Sequence, residues 1–205
     1  IDFVEKNVGG AFSLEMSIDS KANDGVTKAD FLIKVDTFSR WINDEFDTIT
    51  KVSSVSNIIK KMNKVFHQDK DDFFKISSDD KQNAQFLFLY GLSVPEGKSL
   101  NDRMNSAQSK IRLSAMMKNM DSRSSLAMYK KIEDKAQASG LDLVLTGKRV
   151  LWQSINEKVV KSFIISIISS LILITFCMMI FLKDIKMGLL SIIPNIIPII
   201  IGSVV

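Results

Sequence analysis

Residues Ser162–Leu182 read SFIISIISSLILITFCMMIFL, twenty-one positions without a charge. At ~1.5 Å of rise per residue, a helix of that length covers about 32 Å, which matches the ~30 Å hydrocarbon core of a bilayer. A second apolar run, Met187–Val205, begins after the short break Lys183–Lys186. Backbone inside lipid must satisfy its own polar groups, so both runs are expected to be helices, the second continuing past Val205. The reading is a membrane hairpin, with Lys183–Lys186 as its cytoplasmic turn, preceded by an extramembrane domain. We expect a piece of a longer protein, because the chain opens at Ile1 without Met and stops at Val205 inside an apolar run; Ile1–Gly10, with three charges and no apolar core, does not read as a signal peptide.

Composition excludes more than it identifies. The net charge of +4 is spread through a chain that is 24% charged, so there is no basic stripe for nucleic acid. Cys177 is the only cysteine and lies within the apolar run, which excludes an intramolecular disulfide. With His67 the only imidazole, a structural zinc site lacks its usual ligands. There is no GxxxxGK[ST] phosphate loop and no GxSxG elbow. No enzyme, no cofactor and no catalytic or metal-binding residue is expected.

The first 147 residues pattern as an α+β domain. Phe12, Leu14, Met16 and Ile18 alternate with Ser13, Glu15, Ser17 and Asp19, the period of a half-buried strand. Thr27, with Asp30 three residues on, predicts an N-cap, followed by a helix with Phe31, Val35, Phe38 and Ile42 on its apolar face. Ile49–Val55 reads as the next strand. A similar unit follows later: a strand at Lys110–Ala115, and a helix from Asp121-Ser122 carrying Leu126, Tyr129, Ile132 and Ala136. That helix ends at Ser139-Gly140, and Leu141–Leu145 makes a further strand. Two strand–helix–strand units predict a ferredoxin-like sandwich. Between them lies a helical insertion at about 56–92. Its first helix turns Ile58, Met62 and Val65 one way and Lys60, Lys61 and Lys64 the other. Ser78 caps a second helix, which becomes apolar nearly all round at Phe86–Tyr90, and Pro95-Glu96-Gly97 closes the insertion. With no breaker between Gly147 and Lys183, a connecting helix (148–161) is expected to run directly into the membrane span.

Several segments, taken in order, carry a family resemblance. They are Gly9-Gly10 with Leu14-Glu15, SVSNIIKKMN (Ser54–Asn63), AQFLFLY (Ala84–Tyr90), IRLS (Ile111–Ser114), LTG (Leu145–Gly147) and GLLSIIPNIIP (Gly188–Pro198). Together they resemble the resistance-nodulation-division (RND) exporter superfamily, in its hydrophobe-exporting and mycobacterial large membrane protein-like (MMPL) branch. The last segment is most similar to the second half of these internally duplicated transporters. The resemblance implies a multi-pass protein of the bacterial inner (cytoplasmic) membrane, with residues 1–161 extracytoplasmic. It implies proton-driven export of hydrophobic or amphiphilic molecules, lipids included. The partners would be the bilayer, the substrate, the other half of the transporter and further subunits. The family's proton-relay carboxylates lie on a later helix, so none is assigned here.

Individual residues divide between function and architecture. Pro194 and Pro198 share one face of the last helix and free two carbonyls; they read as a packing kink more readily than as a hinge. Asn195 beside them is an intramembrane polar group and a functional candidate, or a partner for a freed carbonyl. His67, Asp69, Asp71, Asp72, Asp79 and Asp80 lack calcium-loop spacing and read as solvated helix ends. Met104, Met116, Met117, Met120 and Met128 could adapt to apolar ligands, although core packing is the commoner use. No substrate-binding residue is assigned.

Two other functional classes compete with transport: a membrane-tethered extracytoplasmic sensor and an envelope-assembly scaffold. A sensor would continue into a cytoplasmic output region, whereas here the chain re-enters an apolar run after four residues. Charge does not settle orientation, because Lys158 and Lys161 flank one end of the span and Lys183 and Lys186 the other.

Overall fold

Alternation and capping along the chain produce a regular element order. In the computed structural model, which describes residues 10, 12–94, 100–190 and 192–197, the order begins with β1 (Phe12–Asp19), α1 (Ala29–Glu45), β2 (Ile49–Ser53), α2 (Val55–Phe66) and α3 (Asp80–Ser93). It continues with β3 (Lys110–Met117), α4 (Ser122–Ala138), β4 (Asp142–Thr146), α5 (Lys148–Leu182) and α6 (Ile185–Leu190). The chain divides into two units, Ile1–Leu151 and Trp152–Val205. The expected turn at Pro95–Gly97 and Pro198 lie outside the described residues.

The first unit is α+β. Its four strands form one sheet in the order β2-β3-β1-β4, with every neighbouring pair antiparallel. Register places Leu14 opposite Ala115, Met16 opposite Leu113 and Ile18 opposite Ile111, so the buried residues of the two central strands share one face. Against that face pack Leu32, Val35 and Ile42 of α1, Ile59 of α2, and Tyr129 and Ile132 of α4. Burying each such large apolar side chain stabilises the fold by about 1.5–3 kcal/mol. The opposite face carries Ser13, Glu15, Ser17, Arg112 and Ser114 and stays partly or fully exposed.

Local sequence explains most helix ends. Asp121 caps α4, its carboxylate accepting the Ser124 N–H at 2.9 Å. Gly140, at φ 68°, takes the left-handed conformation just past the helix end. Several expectations are corrected. Thr27 does not cap α1: it closes a short 3-10 turn, its hydroxyl donating to the Asp24 carbonyl at 2.8 Å. The cap comes from Asp80, 51 residues away, which accepts the Ala29 N–H at 2.7 Å. Asp79, rather than Ser78, caps α3 by accepting from the Lys81 N–H. The second strand stops at Ser53, because a capping box of Ser54 with Asn57 starts α2 at Val55. In α4, Leu126 is exposed and Ser125 and Met128 are buried in its place.

The face of α2 is also rotated from the expected one. Val55 and Ile59 are buried, Ile58 and Met62 only partly so, and Val65 is exposed. Lys60 lies inside, 8% exposed, because its ammonium meets Asp36 of α1 at 2.5 Å and lies 5.1 Å from the Phe74 ring. Arg40 also reaches Asp36, at 3.3 Å.

In the second unit, α5 continues without interruption to Leu182 and exposes Phe163, Ile172, Phe176 and Phe181. By length and composition it is the one helix among the described residues that could cross a membrane, with a mean hydropathy of 2.7 in its most apolar window. Lys183 and Asp184 then reverse the chain into α6, Asp184 accepting the Lys186 N–H at 2.8 Å. Gly188 permits the return: a Cβ there would lie 3.0 Å from Met179 Cα and closer still to its side chain. Residues 192–197 are helical as well.

Candidate functional site

Three adjoining features of the first unit form the candidate site. On the open sheet face, Glu15 faces Ser114 across the β1–β3 ladder. Its Oε2 accepts from Arg112 Nε at 2.7 Å and from Ser114 Oγ at 2.5 Å. Burial pushes the Glu15 carboxyl up, but the bonds from Arg112, Ser114 and Ser13 outweigh that and hold it below the ordinary carboxylate range. The guanidinium of Arg112 is raised in return by Glu15. A cleft of about 500 Å³ opens beside this pair, between the sheet face and the segment Asn101–Asn105.

The second feature is a larger groove of about 810 Å³. One wall is α3, through Leu87, Phe88 and Leu92; the other includes Leu100 and Met104. Asn101 and Met104 line both groove and cleft. The all-round apolar stretch of α3 explains this wall, since Phe86 and Leu87 enter the core while Phe88 (67% exposed) and Leu92 (70% exposed) remain outside. Two residues at the rim, Asp24 and Gln108, hold positive φ of 56° and 48°.

The third feature is the junction of β4 with α5. Gly147, at φ 99°, makes the turn, and a Cβ there would sit 3.1 Å from Glu15 Cγ. Two residues on, the Arg149 guanidinium lies 4.4 Å from the Phe12 ring centre and donates to the Met120 carbonyl at 2.6 Å. The buried Tyr129 hydroxyl lies at the same junction and makes no hydrogen bond of good geometry among the described residues. Burial pushes its pKa up, with Arg149 opposing.

The methionines separate. Met117 and Met128 are core, Met120 packs partly against the core, and Met116 is half-buried on the open sheet face. Only Met104 lines a groove. His67 stacks on Phe73 at 3.8 Å, and its Nδ1 lies 2.8 Å from the Asn63 carbonyl oxygen. Asp71 and Asp69 pair with Lys64 at 2.7 and 3.9 Å. No group of three metal-ligating side chains occurs among the described residues. In the second unit, Asn195 is partly buried and lines a small cavity of about 320 Å³ with Ser166 and Ser170.

Sequence reading missed Glu15, Arg112 and the groove. The first two are 97 positions apart and meet only through strand register. Glu15 did carry a signal, as an acid at the centre of an alternating strand. Neither the family models nor the characterised proteins compared with this sequence give a match.

Proposed function

We propose that the chain is part of a proton-driven RND-type membrane exporter of hydrophobic or amphiphilic molecules. In this reading Ile1–Lys161 is extracytoplasmic and contributes to the substrate route, and α5 with α6 and the helix after it enters the bilayer. The observation that carries the reading is the continuity of α5. A 35-residue helix has its first turn held to an α+β domain by Arg149 and its last twenty-one positions free of charge. Such a helix fits a domain whose last helix continues as a membrane span.

Two further features support it. The strand order β2-β3-β1-β4, with strand–helix–strand units flanking a helical insertion, supports the ferredoxin-like reading drawn from those two units. The reversal at Lys183-Asp184 suits a polytopic protein better than a sensor with a long output region. Proton coupling asks for no nucleotide loop in this chain, and intramembrane carboxylates would lie beyond Val205.

A pair of prolines inserted near Lys158 in the full-length protein tests the coupling, since proline breaks a helix interior. Loss of export with unchanged membrane insertion is expected. Normal export by that variant would overturn the proposed role of α5.

A further inference from the structure

We infer that the cavity between α1, α2 and the segment 74–76 is a binding site for a phosphate group, as the free ion or a monoester. The site lies wholly within the first unit and does not depend on the export reading. Its anchor is Lys60, only 8% exposed. The ammonium has three N–H donors, and the structure uses one of them, on Asp36. The Phe74 ring faces the same charge from 5.1 Å but supplies no acceptor oxygen. No other acceptor reaches this ammonium among the described residues. Burying an ion pair is offset only when further hydrogen bonds meet the remaining protons. A cavity of about 390 Å³ opens beside it, within the range of small-molecule sites.

Charge selects the ligand. Arg40, Lys60 and Lys75 line this cavity against a single carboxylate, Asp36, a formal surplus of two positive charges. Both Asp36 oxygens are already engaged, Oδ1 by Lys60 and Oδ2 by Arg40. Lys75 pairs with no carboxylate among the described residues, and its ammonium lies 5.7 Å from the Phe73 ring. A phosphate monoester carries nearly two negative charges above its second pKa of about 6, and it offers three strong acceptor oxygens. These match the surplus and the open donors of one guanidinium and two ammoniums. A carboxylate would neutralise only half of the surplus. Ile33 and Phe74, both about half exposed, leave an apolar flank for an organic substituent.

The test is methyl NMR on the full 205-residue chain, labelled at isoleucine δ1 methyls and held in dodecyl maltoside, which contains no phosphate. Inorganic phosphate, phenyl phosphate and benzoate are titrated at pH 8 and constant ionic strength. Both phosphates should shift the Ile33 and Ile76 methyls saturably and leave the core Ile132 methyl in place. Benzoate should bind about tenfold more weakly or worse, the scale of one lost charge-assisted hydrogen bond. Tighter binding of phenyl phosphate than of inorganic phosphate assigns a monoester as the ligand, and equal or weaker binding assigns the free ion; either supports the site. Lys60→Met should abolish the shifts. Arg40→Gln and Lys75→Gln change only exposed side chains, so they decide the matter whether or not Lys60→Met folds. Each should weaken phosphate binding about fivefold or more, whereas Lys130→Gln, outside the cavity, should leave it unchanged. Equal binding of benzoate, an unsaturable response, or undiminished phosphate binding in Arg40→Gln and Lys75→Gln would overturn the inference.

Discussion

Asp80 Oδ1, at the first residue of α3, accepts the backbone N–H of Ala29, the first residue of α1, at 2.7 Å. One carboxylate thus caps a core helix from within the insertion, and Lys28 holds its other oxygen at 3.1 Å. The contact ties the wall of the apolar groove to the domain beneath it. Asp80→Ala should lower the melting temperature by a few degrees and loosen α3, whereas Asp80→Asn should keep most of the cap. Hydrogen exchange at the amides of residues 29–32 and 80–84 reads both effects; unchanged protection in Asp80→Ala would contradict the pinning role.

Lys60 and Asp36 form a pair that is almost wholly out of water. Removing Lys60 takes away the buried partner of Asp36 and leaves it only the exposed Arg40, so Lys60→Ala should destabilise the domain by about 3 kcal/mol. The double variant Lys60→Met with Asp36→Leu should lie near the parent stability, because well-packed apolar residues replace buried charges at little cost. Urea denaturation followed by tryptophan fluorescence compares the two. A double variant as unstable as Lys60→Ala would show that specific charge geometry, rather than an unpaired charge, sets the loss.

Gly147 should resist substitution for two reasons, its positive φ and its closeness to Glu15. Gly147→Ala is expected to cost about 2 kcal/mol, the scale of a non-glycine residue held in a sparsely populated backbone region. Adding Glu15→Ala removes the contact with Cγ but leaves Cβ 3.2 Å away and the backbone strain in place, so it should restore less than half of the loss. Full recovery in thermal denaturation would mean that the clash alone accounts for the glycine.

Acid should unfold the domain through its hydrogen-bonded carboxylates. Glu15 sits below its ordinary range, as do Asp80, which accepts from the Ala29 N–H and from Lys28, and Asp121, bound by Ser124. A folded-state pKa depressed below the unfolded one stabilises the protein above the unfolded value of about 4, and that stability is lost as pH falls through the folded pKa. The melting temperature should therefore be flat from pH 7 to about 5 and fall progressively below about 4. Glu15→Gln should start lower and fall less steeply; an identical slope would remove Glu15 from the acid response.

How much could be read in advance depended on how local the physics was. The alternation at Phe12–Ile18, the Asp121 cap, the Gly140 stop and the uninterrupted run into Leu182 are each set within a few residues, and each has its element in the structure. The inward turn of Lys60 could not be read that way, because the carboxylate that tolerates it lies 24 positions earlier on another helix. Thr27 had the right residue type for a cap, but the real cap arrives from Asp80 through tertiary packing. The groove was least legible of all: Asp24, Leu87 and Met104 meet only after the insertion has folded back on the domain.

The most direct measurement of the central claim uses inverted membrane vesicles containing the full-length protein and a fluorescent amphiphile. Imposing an inward-acid pH gradient should drive accumulation of the probe above the level in vesicles lacking the protein, and a protonophore should abolish the difference. Accumulation that is indifferent to the protonophore, or equal with and without the protein, would contradict proton-driven export.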